Sequence, residues 1–251
     1  MTLPVWAGLA ATCFAAALLQ ATNGFGFAVL SVPFFLLLVP AGQAIQLVVI
    51  LSLAISLVMI PRLHDAIEPR LLLHLVIGSA VGLPVGLVAF GYSDPAVVRL
   101  AAGVVIVLFA AVLGWNVYRR RPALVAMRRG LDLGAGTIAG AATGLVGMPG
   151  PPLMIYLMLA AAPMRAVRAT LVAFFALVYA ATLLSDVVFL GVPGFDWAIA
   201  ASLLPLIWAG GIVGLSVADR LNETVAAVLS ILVLAVAGLY TLAAAASAAL
   251  R

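Results

Sequence analysis

Two apolar stretches of this chain are too long to cross a lipid bilayer as single helices, and each contains a break rich in glycine or proline. As one α-helix, residues 3–39 would extend about 55 Å, whereas the hydrocarbon core of a bilayer is about 30 Å thick. That stretch is interrupted by NGFGF at residues 23–27, and residues 131–162 are interrupted by GLVGMPGPP at residues 144–152. Because glycine and proline are the poorest helix formers, we predict that each stretch folds back at its break as two half-helices.

The composition excludes a soluble domain. Of the 251 residues, 67% are hydrophobic and 8% are charged, whereas soluble domains carry about 25% charged residues. The fold class predicted is therefore an all-α polytopic membrane protein, because the apolar runs lack the alternation of a membrane β-barrel. Its apolar segments are predicted at 3–22, 25–39, 44–61, 70–92, 97–118, 131–147, 151–162, 166–190, 196–218 and 223–247.

The segments form the same pattern twice, which predicts an N-terminal repeat at 1–118, a basic linker at 119–130 and a C-terminal repeat at 131–251 within one membrane domain. With one hairpin and three full transmembrane helices per repeat, ten of the twelve arginines fall on the side of the linker. The positive-inside rule then makes the linker cytoplasmic, the repeats inverted and both termini external. Five full crossings per repeat would give the same sidedness, so the arginines leave that alternative open.

Ionisable and reactive residues are too sparse for an enzyme. The sequence has no GxSxG, HExxH or Walker A motif, and its one cysteine, Cys13, excludes an internal disulfide. We therefore predict no catalytic residue, no metal and no cofactor. We also predict no nucleic-acid partner, because the arginines lie at the ends of apolar segments. The N-terminal stretch lacks a basic region, so we expect no cleaved signal peptide.

Glycines recur at a spacing of four, which predicts close contact between helices in a bilayer. They are Gly78, Gly82 and Gly86, then Gly136, Gly140 and Gly144, then Gly210 and Gly214.

The breaks are also candidate binding elements, because a half-helix that starts inside the membrane presents free N–H groups and a positive dipole end to an anion. The alternative is that glycine and proline only kink two core helices. Arg168 is either a forked anion donor or an anchor at the membrane interface. The candidate substrate-binding residues are Asn23, Gly24, Gly26, Gln46, Gly147, Gly150, Tyr156, Arg168 and Thr170.

Four further ionisable residues have two interpretations each. Asp186, late in an apolar helix, is the candidate coupling carboxylate, and the alternative is a helix-end acid at the outer surface. His64 and Asp65, in a short loop, and His74, one turn into the next segment, are expected to be solvated, with a pH-sensitive pair as the alternative.

The second break carries a family resemblance. Residues 144–175 resemble the sulfite exporter TauE/SafE family of membrane permeases, through Gly144, Gly147, Gly150, Pro151, Pro152, Tyr156, Pro163, Arg168, Ala169 and Thr170. The first break matches the family pattern only at Gly24, Gly26 and Pro33, so selectivity is expected to differ there.

The resemblance implies a secondary transporter of small anions such as sulfite or the organosulfonate sulfoacetate, with about eight transmembrane segments, in a bacterial inner membrane. A passive anion channel and a non-transporting assembly subunit are the alternatives. The partners are the anion and the lipid bilayer. Coupling to protons or sodium ions, and a homo-oligomeric state, are left open.

Overall fold

The fold is a bundle of helices. The structure is a computed structural model that describes residues 2–119, 129–159, 164–218, 235–236 and 238–239, and it has no β-strand among them. Its helices are α1 (Leu3–Asn23), α2 (Phe27–Leu38), α3 (Ala41–Leu63), α4 (Pro69–Gly91), α5 (Pro95–Arg119), α6 (Arg129–Val146), α7 (Gly150–Leu159), α8 (Met164–Ser185) and α9 (Gly194–Ala218). A 3₁₀ turn (His64–Ala66) follows α3, and a π-helical turn (Asp186–Leu190) follows α8.

Both predicted breaks interrupt the helices where the sequence placed them. After α1 comes Gly24 with φ 84°, and after α6 comes Gly147 with φ 71°. The Gly24 amide donates to the Gln20 carbonyl at 2.6 Å, and the Gly147 amide donates to the Thr143 carbonyl at 2.8 Å. A left-handed residue closes a helix in this way, and only glycine adopts it without steric cost. The two breaks therefore end their first helices identically.

The arms of the two broken segments have unequal lengths. The 21 residues of α1 extend about 31 Å at the helical rise, enough to cross the hydrocarbon core. The α2 arm has 12 residues, and α7 has 10. The first arm is thus longer than the predicted half-helix, whereas both returning arms are short.

Among the residues that the structure describes, five helices are long and apolar enough to span a membrane, by length and composition. The most buried are Ala41–Ala66 and Arg165–Phe189, which contain α3 and α8, and these two helices pack on each other. The chain is therefore a multi-pass membrane protein with α3 and α8 at its centre. The other three spans are Leu3–Asn23, Pro69–Gly91 and Gly194–Val217. Most of the linker and of the predicted last segment, 223–247, lies outside the described residues.

The predicted glycine contact is confirmed between α4 and α6. A Cβ atom added to Gly82 would lie 1.9 Å from the Thr137 carbonyl oxygen, and one added to Gly136 would lie 2.2 Å from that of Leu75. These backbones touch with no side chain between them, and Gly78, Gly86, Gly140 and Gly144 extend the same contact. Close approach of this kind gives the van der Waals contact that holds helices together in lipid, where hydrophobicity adds no net attraction.

The α1 and α9 helices pack in the same manner, with glycines on α9 and alanines on α1. A Cβ atom at Gly210 would lie 2.7 Å from the Phe14 carbonyl oxygen, and one at Gly214 would lie 2.6 Å from that of Leu18. Ala17 and Ala21 of α1 complete the contact. The first helix of each predicted repeat thus packs on the fourth helix of the other, since α1 pairs with α9 and α6 pairs with α4.

This contact generates a prediction on α6, which has a matched glycine outside the contact. We expect Gly136→Ala to destabilise the folded protein by about 1–3 kcal/mol, because its methyl group enters the space of the Leu75 carbonyl. The measurement is the melting temperature of the purified protein in detergent. The control is Gly134→Ala, since nothing lies within 4 Å of a Cβ atom at Gly134. Equal melting temperatures for the two variants would contradict the close packing of α4 and α6.

Candidate functional site

The amide side chain of Gln20 forms hydrogen bonds across the first break. This side chain is buried, its Oε1 accepts a hydrogen bond from the Phe27 backbone N–H at 3.2 Å, and its Nε2 donates to Ser56 Oγ at 3.4 Å. Phe27 opens α2, so its N–H has no partner within the helix. Gln20 therefore supplies the partner that a helix start buried in protein requires.

Arg168 lies against the first break. Its Nη2 donates to the Ala21 carbonyl at 2.8 Å, near the C-terminal end of α1, where a positive charge is favourable. A Cβ atom at Gly24 would lie 2.7 Å from Arg168 Cγ and 3.0 Å from its Cα. The predicted residues Gly24 and Arg168 are thus brought together, and the glycine is required both by its positive φ and by the close passage of α8. This contact was not among the interpretations that the sequence offered for Arg168.

The second break is held by α8 as well. The buried Tyr179 hydroxyl donates to the Gly147 carbonyl at 3.1 Å. A Cβ atom at Gly150 would lie 3.5 Å from Phe175 Cζ, an ordinary contact, and Gly150 is the first residue of α7. Sequence reasoning missed Tyr179, because an isolated tyrosine in an apolar helix gives no sign of which carbonyl it meets.

Helix α8 therefore contacts both breaks. Arg168 and Tyr179 are three turns apart on this helix, which separates the two contact points by about 16 Å along its axis. The buried residues around the breaks, including Phe25 and Met148, leave both interruptions enclosed in protein. Irregular backbone at membrane depth is tolerated only in such a position or beside a wet cavity.

A small cavity lies beside the second break. Its lining includes Thr143 and Gly144 of α6, Gln46 of α3 and, from the end of α8, Thr182 and Asp186. Its volume is about 30 Å³, enough for about two water molecules. Asp186 directly follows the last residue of α8 and is buried, with 3% of its surface exposed.

A wider groove between α3 and α9 has a different character. It measures about 890 Å³ and is lined by apolar side chains that include Leu57, Val58, Leu204 and Trp208. A groove lined almost entirely by apolar side chains offers an anion few hydrogen-bond donors, so the small polar cavity is the better candidate.

The other predicted residues occupy several places. Gln46 lines the small cavity and donates to the Gly191 carbonyl at 3.1 Å, just after α8. The buried Thr170 hydroxyl accepts from the Glu68 N–H at 3.1 Å, at the start of α4. Asn23 ends α1, and Gly26, with φ 118°, precedes α2. The predicted set is therefore divided between the two breaks and the junctions next to them.

Tyr156 belongs to a cluster that the sequence did not reveal. Its hydroxyl donates to Oδ1 of Asp132, while Nδ1 of His74 lies 3.0 Å from Oδ2 of the same carboxylate. Asp132 is buried, and the cluster joins α4, α6 and α7. Sequence analysis missed Asp132 because it follows Arg129 in the first turn of its helix, where an interfacial acid is expected. His64 pairs with its neighbour Asp65 at 2.8 Å and is exposed, as predicted for the loop.

These features define a polytopic helical membrane protein in which one central helix contacts both glycine breaks. Residues 9–241 match the family model described as sulfite exporter TauE/SafE, and the chain belongs to this family. The resemblance predicted from the second break is therefore confirmed, and with it the class of membrane transporters of sulfite or related anions. Neither a curated protein nor a solved structure gave a significant match.

The geometry of the breaks predicts an order of sensitivity to added methyl groups. We expect Gly24→Ala to destabilise most, because it combines a left-handed φ with a collision with Arg168. Gly147→Ala should cost about 1–2 kcal/mol for the left-handed backbone alone, since its nearest neighbour, Ile45, would lie 3.6 Å away. Gly150→Ala, with ordinary contact and no positive φ, serves as the control.

The measurement is again the melting temperature in detergent. A melting temperature for Gly150→Ala below that of Gly24→Ala would contradict this description of the breaks.

Proposed function

We propose that the protein is a secondary transporter of sulfite or organosulfonates such as sulfoacetate, and that the anion binds between its two broken segments. The observation that carries the proposal is the matched pair of breaks, each ended by a left-handed glycine and each held by α8. Family membership supplies the substrate class. The reciprocal packing of α1 on α9 and of α6 on α4 supports two inverted repeats that move against each other.

The small cavity beside the second break is the proposed binding region. It joins the predicted donor Gln46 with the hydroxyls of Thr143 and Thr182, which donate to the Ala139 and Val178 carbonyls of their own helices. An oxyanion would bind by taking the hydroxyl protons from these carbonyls, with the Gln46 amide as a further donor. An ionised carboxylate at Asp186 would repel an anion, so the proposed site requires Asp186 to be neutral when the anion is bound.

The size of this cavity supports a carrier over a channel. A volume of about 30 Å³ is too small for a sulfonate, and the residues of both breaks are buried. Binding would therefore require a movement that opens the region, as alternating access does and an open pore does not. Rocking of one repeat against the other, along the glycine contacts, is the proposed movement.

Counterflow distinguishes the carrier from the channel. Purified protein in liposomes loaded with unlabelled sulfite or sulfoacetate should accumulate labelled anion transiently, because a carrier exchanges one anion for another. A channel lets the label equilibrate without overshoot, so a monotonic approach to equilibrium would contradict the carrier. Absence of any flux of either anion would contradict the proposed substrate class.

Two threonines of α6 provide a matched test of the site. Thr143 and Thr137 each donate to the carbonyl four residues earlier, at 2.7 Å and 2.9 Å, but only Thr143 lines the small cavity. Loss of a hydrogen bond to an ionised group costs about 1.5–3 kcal/mol, so we expect Thr143→Val to slow counterflow roughly tenfold or more. Thr137→Val is the control. Equal rates for the two variants would place the anion elsewhere.

The proposed topology places the loop after α3 in the cytoplasm and the loop after α4 outside the inner membrane, with the 119–130 linker cytoplasmic and both termini external. The chain suits cysteine labelling because its one cysteine, Cys13, is buried. In intact cells, an impermeant maleimide should label Ser93→Cys, and it should label Asp65→Cys only after the membrane is permeabilised. The reverse pattern would invert the topology.

A further inference from the structure

We propose that Asp132, His74 and Tyr156 form a proton-binding site through which proton movement is coupled to anion transport. This inference rests on the proposed function, since coupling requires a transported anion. It assigns the coupling to a cluster different from Asp186, the residue that the sequence indicated.

The geometry of the cluster is that of a buried carboxylate with both oxygens engaged. Asp132 Oδ2 lies 3.0 Å from His74 Nδ1, and Asp132 Oδ1 accepts from the Tyr156 hydroxyl. The side chain of Asp132 is 7% exposed and that of His74 is 25% exposed. The carboxylate is therefore enclosed, while the imidazole is open to the surroundings and offers a route for a proton.

The chemistry of this pair suits reversible proton uptake. With one proton between them, the imidazole and the carboxylate carry no net charge. A second proton gives the pair a charge of +1, and loss of the first gives a charge of −1. Within a membrane protein either charged state is costly, so the neutral state with one proton is favoured. Thr143 of the proposed anion region lies about 16 Å from Asp132 along α6, so a link between proton uptake and anion binding acts through movement of the second broken segment.

The cluster also ties the second broken segment to the bundle. Asp132 lies on α6, Tyr156 on α7 and His74 on α4, so the carboxylate bridges both arms of the segment to its packing partner. A hydrogen bond to an ionised carboxylate is roughly twice as strong as one to its neutral form. Protonation of Asp132 would therefore loosen the attachment of α7, and this connects proton occupancy with movement of the second break.

Other charged groups lie close enough along the same helices to bias the pair. Arg70 lies one turn before His74 on α4, and Arg129 lies three residues before Asp132 on α6. The α7 helix contains no other ionisable side chain. On α8, Arg165 is exposed and Arg168 donates to Ala21. The charged residues of α8 and its π-helical turn are therefore these two arginines and Asp186. The charged residues of α5 are Arg99 and Arg119.

The junction between α1 and α9 gives an internal comparison. There Trp6 Nε1 donates to Ser202 Oγ at 3.3 Å, and neither group titrates. The two junctions both join a first helix to a fourth, and of these two side-chain contacts only the one between α4 and α6 contains groups that can take up a proton.

The experiment compares two modes of transport in proteoliposomes, with sulfite and sulfoacetate as probes. Exchange at equal pH needs no net proton movement, whereas accumulation under a pH gradient does. With wild-type protein, a gradient of about one pH unit, acidic outside, should accumulate the anion up to about tenfold for one proton per anion. Asp132→Asn and His74→Gln should retain exchange and lose this accumulation, because neither variant keeps the carboxylate–imidazole pair that shares the coupling proton.

Controls keep a folding defect separate from loss of coupling. His64→Gln removes the other histidine of the chain, which is exposed in a loop, and should accumulate the anion as the wild type does. Asp132→Glu should restore part of the accumulation, since it keeps a carboxylate. Each variant is first checked for a monodisperse elution profile, and His74→Gln carries the test if Asp132→Asn does not fold.

The remaining outcomes each overturn the inference. Wild-type accumulation in Asp132→Asn would exclude the cluster, and its loss only in Asp186→Asn would assign the coupling to Asp186. Exchange without gradient-driven accumulation in the wild type would exclude proton coupling. Absence of exchange in the wild type would instead remove the proposed function and the coupling role together, and that result is distinguishable because it affects both modes.

Discussion

The lack of water in the bilayer is the constraint on which this structure depends. A helix that ends inside a membrane leaves N–H and carbonyl groups that only the protein can satisfy. At the first break the partners are Gln20 and Arg168, and at the second the partner is Tyr179. The cost of interrupting a helix at membrane depth thus determines which polar side chains an otherwise apolar chain retains. Two of these three residues lie on α8, and this explains why that helix is at the centre of the bundle.

Close backbone contact is the second requirement. The hydrogen bonds at the two breaks form only if the helices that carry them are held in fixed positions. The glycines of α4 and α6 bring two backbones together over about two turns, and Gly210 and Gly214 bring α9 against α1 over about one turn. Such contacts contain no long side chains that would have to exchange rotamers during movement. A transporter whose repeats slide or rock can therefore keep these surfaces in contact while other regions open.

The sequence predicted the features that follow from single segments. The positions of the breaks follow from the mismatch between apolar length and membrane thickness, and the contacts of Gly82 and Gly136 follow from a spacing of four. Partners that depend on how distant helices meet were not predictable. The Arg168 bond to Ala21 and the His74 pair with Asp132 join residues far apart in sequence. Asp132 is a particular case, since its position beside Arg129 is typical of an interfacial acid, and only the packing of α4 buries it.

The attachment of both breaks to α8 has a consequence for the membrane potential. Their contact points are separated by about 16 Å along that helix, roughly half of the hydrocarbon thickness. If water reaches each break from its own side, the electrical potential falls mainly across the slab of protein between them. An ion crossing this shorter distance experiences a stronger local field than one crossing a full bilayer. A small displacement of α8 relative to the breaks would likewise move the charge of Arg168 through much of that field.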